Sequence, residues 1–183
     1  MSETDDRLRF EGAYDAHLGA VLAYARRRTD PASAEDAVAE VFVTAWRRVA
    51  DMPAEALPWL LAIARNTLAN QARGDRRRLS LEHRLAAERP LFGEAPALEE
   101  LDPRLAAALG RLSSEDREAL CLLAWERLTR AEAARALGCS AATLRLRLHR
   151  ARRRLARELG TGADAPAPCT PGMPDTPEPR RSA

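Results

Sequence analysis

Apolar positions recur at steps of three and four residues through most of this chain. Val38, Val41, Phe42, Ala45, Trp46 and Val49 make one such face. Leu57, Leu60, Leu61, Ala64 and Leu68 make a second, and Leu144, Leu148, Ala151 and Leu155 a third. That period belongs to amphipathic helices. No alternating strand pattern occurs, and Ala, Leu, Arg and Glu, all good helix formers, dominate over β-branched residues. The predicted fold class is all-α. Start signals agree: Asp30-Pro31 opens a helix, with Ser33 and Asp36 as a further capping pair, and Pro58 can begin the next. Ser113, with Asp116 three residues on, starts another, for which Leu120, Leu123 and Ala124 are the expected core stripe.

The segment TRAEAARALGCSAATLRLRLHRARRRLAR (129–157) reads as two helices joined by a tight turn. Thr129 and Glu132 have capping-box spacing, Gly138 suits the left-handed residue after a helix, and Ser140 caps the next one. Two short helices around a Gly-containing turn form either an ordinary helical hairpin or a helix-turn-helix.

The pattern divides the chain into four parts: helical residues 8–79, an interrupted acidic stretch 80–102, helical residues 103–159, and a tail 160–183. The tail carries half the prolines and almost no large apolar groups, so it cannot offset its ordering entropy and is expected to be disordered. Two small helical domains on a linker is the economical organisation.

Composition narrows the chemistry. The 183 residues suffice for one ordinary domain or two small ones, and the net charge of +2 leaves any nucleic-acid signal to local clustering. Every basic residue is Arg, which, with the abundant Ala, fits GC-rich coding as well as selection for phosphate contacts. Cys121, Cys139 and Cys169 have no C-x-x-C spacing, and His17, His83 and His149 have no ligand spacing with them, so neither disulfides nor a metal is expected. Cys121 reads as a core filler and Cys139 as a turn residue. With no phosphate-cradling Gly loop or nucleophile elbow, the chain is expected to bind rather than to catalyse, without a cofactor. The acidic start MSETDDRLRF excludes a secretory signal and no stretch spans a bilayer, so no membrane is involved and a cytoplasmic location is expected.

Two basic segments carry the candidate chemistry. In the last helix Arg145, Arg147, Arg150, Arg152, Arg153, Arg154 and Arg157 face one acid, Glu158, off the apolar stripe. A solvated face normally alternates signs, whereas this one repels itself unless an anion lies alongside. Phosphates answer that need, and the small residues Ser140, Ala141, Ala142 and Thr143 permit close approach to base edges. Arg145 and Arg147 can reach guanine O6 and N7. The other segment holds Arg65, Arg73, Arg76, Arg77, Arg78 and Arg84 with the amides Asn66, Asn70 and Gln71. It suits melted or duplex DNA, or is a solvated helix end complementing the macrodipole. Trp59, just upstream, is expected in the core. A linker of roughly 22 residues reaches about 70 Å at about 3.3 Å per residue. Two DNA elements about 17 base pairs apart lie roughly 58 Å apart, within that reach.

These residues resemble the extracytoplasmic-function, or group 4, sigma factors of bacterial RNA polymerase. AEDAVAEVFVTAWRR (34–48) is similar to the region 2 helix that docks on the polymerase clamp. LPWLLAIARNTLANQARGDRRR (57–78) is similar to the segment that captures and melts the −10 element. LSSEDREALCLLAWERLTRAEAARALGCSAATLRLRLHRARRRL (112–155) is similar to region 4, which meets the −35 element and the polymerase flap. The resemblance implies clamp contacts from Asp36 and Glu40, with Phe42 and Trp46 in the core. It implies −10 contacts from Asn66, Asn70, Arg73, Arg76 and Arg77, and a flipped base held by the loop Val49–Leu57. It implies −35 contacts from Ser140, Thr143, Arg145, Arg147 and Arg150, and places the acidic stretch in the polymerase RNA path. Implied partners are core RNA polymerase, promoter DNA and an inhibitory anti-sigma factor, common in that family. Arg127 stands where such proteins usually carry Gly, Ala133 and Ala136 where they carry Ile-like residues, and Leu146 where they carry a small polar one.

The leading expectation is a promoter-specificity subunit. The alternatives are a free-standing helix-turn-helix regulator and a helical adaptor for an acidic partner. A simple regulator has no need of the second arginine-and-amide segment, and an adaptor has no need of the capped helix-turn-helix.

Overall fold

A computed structural model describes residues 3–82 and 101–160, with side chains of 75–82 excepted. The expected linker core and the tail beyond Gly160 lie outside the described residues, as do Cys169 and His83. Among the described residues there are seven α-helices and no strand: α1 (Glu3–Arg26), α2 (Pro31–Arg47), α3 (Ala56–Glu82), α4 (Pro103–Gly110), α5 (Ser114–Ala124), α6 (Arg130–Leu137) and α7 (Ala141–Glu158). A 3-10 turn, Val49–Asp51, links α2 to α3.

Local chemistry sets the boundaries. Asp30 caps α2 by accepting from the Ser33 N–H at 3.0 Å, and Pro31 follows at the first helical position. Ser113 accepts from the Asp116 N–H at 3.2 Å and starts α5. Helix α6 opens with a full capping box between Thr129 and Glu132 and closes on Gly138 at φ 61°. Helix α3 begins at Ala56, ahead of Pro58, whose missing N–H falls among the first-turn donors that have no intrahelical acceptor. Arg127 occupies the left-handed region at φ 54°, where a side chain is strained and glycine is not.

Helices α1–α3 pack on one another, and α5–α7 form a second group with α4 against α7. The two groups are not separate bodies. Buried residues from Val21 to Leu68 and from Ala119 to Leu148 belong to one continuous apolar cluster. Helix α6 rests on α3 and also packs on α5 and α7, and it buries Ala133, Ala134, Ala136 and Leu137. Alanine at 133 and 136 therefore serves close approach between helices. Leu60, Leu61, Leu122 and Leu144 are almost fully buried; each such side chain stabilises by about 1.5–3 kcal/mol.

Two expected core assignments require correction. Helix α5 buries Arg117, Glu118, Ala119, Cys121 and Leu122, whereas Leu120 and Leu123 are half-buried and Ala124 is exposed. A single amphipathic stripe does not describe a helix covered from two sides. Trp46 is 42% exposed. Its ring stands edge-on to Phe10 at 5.2 Å, at the rim of an aromatic cluster with Tyr14 and Phe42. Trp59 is half-buried against the core, with the Arg48 guanidinium 5.9 Å from its ring centre. Burial pushes the Cys121 thiol up to about 12, in keeping with a core filler.

Candidate nucleic-acid interface

The candidate recognition surface begins at the start of α7. Ser140 Oγ accepts from the Thr143 N–H at 3.1 Å and lies 2.9 Å from the Thr143 hydroxyl. First-turn N–H groups of a helix have no intrahelical acceptor and favour an anion. Leu144, Leu148 and Ala151 are buried, and Leu155 is half-buried, so the expected inner stripe is observed. On a helix of 3.6 residues per turn, that stripe puts Ala142, Leu146, Arg150 and Arg153 on the far side, with Thr143 and Arg145 flanking them. All six are exposed.

Arg147 differs from its neighbours. Its register sets it beside the inner stripe, and its guanidinium Nη2 lies 2.7 Å from the Glu115 carboxylate on α5. Leu146, 55% exposed at the middle of the outer face, was not among the expected contacts. Its signal was the departure from a small polar residue.

Helix α3 carries the second basic segment. Asn66 and Asn70 are exposed one turn apart, and Arg73 follows on the same face, donating to Asn70 Oδ1. Arg76 and Arg77 lie further along α3, and their side chains are outside the described residues. Asp36 and Glu40 are exposed one turn apart on α2. Glu40 accepts from Gln71 Nε2 at 3.5 Å, tying that face to the middle of α3.

A polar junction joins the two groups. Arg28 donates to both carboxylate oxygens of Glu118 at 3.1 Å, and Tyr24 Oη donates to Glu118 Oε1 at 2.7 Å. Arg28 also donates to Glu126 at 3.3 Å and to the Tyr24 carbonyl at 2.9 Å, and its guanidinium lies 3.5 Å from the Tyr24 ring centre. Arg27 pairs with Glu126 as well. Burial by itself disfavours the Arg28 cation, but Tyr24, Glu118 and Glu126 raise its pKa above the ordinary value. Burial raises the Tyr24 hydroxyl pKa. On the opposite flank Arg135 of α6 pairs with Glu55, in the loop preceding α3. None of these ion pairs was foreseen, because residues 80 or more positions apart carry no local sequence signal.

Comparison with known proteins identifies the family. The Sigma-70 region 2 family matches residues 13–78 and the Sigma-70, region 4 family matches residues 98–155. The chain is 34% identical over 158 residues to ECF RNA polymerase sigma factor SigL of Mycobacterium tuberculosis, covering 80% of this chain and 88% of that protein. It is 32% identical to ECF RNA polymerase sigma factor BldN of Streptomyces coelicolor, covering 82% of this chain and 60% of that one. Among solved structures it is similar to the sigma factor RpoE of Bartonella quintana in complex with the anti-sigma factor NepR. There the TM-score is 0.61 at 27% identity, covering 85% of this chain and 98% of that one. CnrH in complex with the cytosolic domain of CnrY gives a TM-score of 0.59 at 28% identity, covering 85% and 89%. Both sigma regions are matched in their proper order, and the chain belongs to the extracytoplasmic-function sigma factors of the sigma-70 family.

Proposed function

We propose that this sigma factor divides promoter recognition between two helical modules, residues 8–79 and 103–159, joined by the acidic linker 80–102. In this reading the first module docks on the polymerase clamp through Asp36 and Glu40. Its helix α3 then holds the melted −10 strand with Asn66, Asn70, Arg73, Arg76 and Arg77. The second module sets α7 in the major groove at −35. Ser140 and the first-turn N–H groups take a phosphate, Thr143, Leu146 and Arg150 face base edges, and Arg145 flanks them. Leu146 offers an apolar contact to a thymine methyl. Arg147 reaches the DNA only by leaving Glu115. The observation that carries the reading is the outer face of α7, cationic around a small-residue start and opposite an apolar stripe. Polymerase performs the chemistry, and the chain selects the site. Among the described residues no helix is long and apolar enough to cross a membrane, and we place the protein in the cytoplasm with polymerase. Of the structural relatives named above, one was solved with the anti-sigma factor NepR and the other with the cytosolic domain of CnrY, which supports an anti-sigma partner here.

Run-off transcription with purified core polymerase and a library of promoter templates tests this. Start-site-specific transcripts dependent on the added chain are expected. Core polymerase that initiates no differently with and without the chain rejects the reading.

A further inference from the structure

We propose that Arg9 of α1 is a positioning residue for base capture: by donating to the Met52 carbonyl it holds the loop between α2 and α3 in the shape that receives an unstacked −10 base.

This role rests on the reading, implied by the family resemblance, that the loop Val49–Leu57 holds a flipped base. The loop has few fixings of its own. Its 3-10 turn ends at Asp51, Met52 is extended at φ −67° and ψ 121°, and α3 does not begin until Ala56. The Asp51 N–H donates to the Arg48 carbonyl at 2.9 Å and the Met52 N–H to the Val49 carbonyl at 3.1 Å. Pro53, next in line, has no N–H to continue the series. The Met52 side chain is buried in the core, while Pro53, Ala54 and Glu55 are exposed. A buried side chain pins one point of the backbone. It leaves open the direction of the peptide plane that follows.

Arg9 supplies that direction from 43 positions away. Its Nη2 lies 2.7 Å from the Met52 carbonyl oxygen, and its Nη1 lies 3.8 Å from Asp6 Oδ1, one turn earlier on α1. One rigid guanidinium plane therefore refers the loop to the helix. A charged donor makes a shorter and stronger hydrogen bond than a neutral one, and this contact is half-buried. The other tie on the loop, Arg135 to Glu55, is exposed on both sides, where an ion pair contributes little. With the Met52 carbonyl held, Pro53–Glu55 leave the core along one path, and the loop need not be ordered when a base arrives. Arg9 itself touches no DNA in this arrangement; it acts through the loop.

The test uses the full chain with core polymerase on a promoter that the wild type uses, with each base placed in turn at every −10 position. Run-off transcription gives the ratio of best to worst base at each position. Arg9→Met keeps the aliphatic stem and loses the donors, and Arg9→Lys keeps one donor without the fork. Arg7→Ala is the charge control, since Arg7 lies on the same helix and pairs only one turn away, with Glu11 at 2.8 Å. Arg9→Met should lower the wild-type ratio at the captured base several-fold, Arg9→Lys should fall between, and Arg7→Ala should match the wild type. Preference at −35 should be the same in all four chains. A merely destabilised chain loses product on every template alike and keeps its ratio, and that outcome for Arg9→Met overturns the proposal. If Arg9→Met loses its helical circular dichroism, Arg9→Lys decides, and a wild-type ratio in that variant overturns the proposal. A wild type without base preference at any −10 position overturns the base-capture reading and the role of Arg9 together. A wild-type preference that Arg9→Met retains overturns the role of Arg9 alone.

Discussion

Arg147 and Glu115 are joined at 2.7 Å across the α5–α7 contact, so one arginine of the proposed recognition helix is held by an acid of its own domain. The pair offsets part of the cationic charge of α7 and ties it to α5. It lies half at the surface, where such pairs contribute little to stability. In the proposed reading of α7 its effect is on binding.

Glu115→Ala is therefore expected to free Arg147 for a phosphate. DNA affinity should rise at low salt, and the plot of log affinity against log salt should steepen by about 0.9, the increment for one added phosphate contact. Filter binding across a salt series measures this. An unchanged slope places Arg147 away from the DNA backbone even when released.

Arg127→Gly should stabilise the fold. The left-handed conformation at φ 54° costs a residue with a side chain about 1–2 kcal/mol relative to glycine, and glycine's greater freedom in the unfolded chain returns part of that. A net gain of about 1 kcal/mol is expected. Urea denaturation followed by circular dichroism checks it, and a lower midpoint contradicts it.

Asn66 is exposed on α3, beside Asn70 and the arginine cluster. Asn66→Ala should impair strand opening more than binding to the closed promoter, since the proposed role of its amide is to hold an unstacked base. Permanganate reactivity of −10 thymines is expected to fall while closed-complex retention stays near wild type. Equal loss in the two assays argues against the placement.

The Thr129 hydroxyl and N–H, both donating to Glu132, hold its carboxyl below the ordinary value of 4.5. A carboxylate with a depressed pKa contributes stability that is present above its unfolded value and lost as pH falls through the folded one. Glu132→Gln should accordingly destabilise near neutrality and flatten the loss of stability on acidification below about pH 4.5. Thermal melts from pH 7 to pH 3 compare the two slopes, and parallel curves refute the linkage.

Sequence legibility followed the range of the interaction. Caps at Asp30, Ser113, Thr129 and Ser140 and the stop at Gly138 act over three or four residues, and each lies where the local pattern puts it. The inner stripe of α7 was equally plain, since one face packs and the other does not. Helix α5 was misjudged because packing from two sides hides its charged residues, and periodicity assumes one buried face. The basic segments were visible as composition. That Arg147 turns inward and Leu146 outward depends on the exact register of α7 against α5, which charge counting ignores.

The same separation along the chain shapes how the protein is made. A ribosome releases α1 with Arg28 exposed, and the matching carboxylate of Glu118 emerges 90 residues later. Until then the incomplete face carries a hydrated cation amid its apolar side chains, which discourages sticking to other nascent chains. A wholly greasy surface left bare for that interval invites aggregation, so the charge guards biosynthesis before it has a partner.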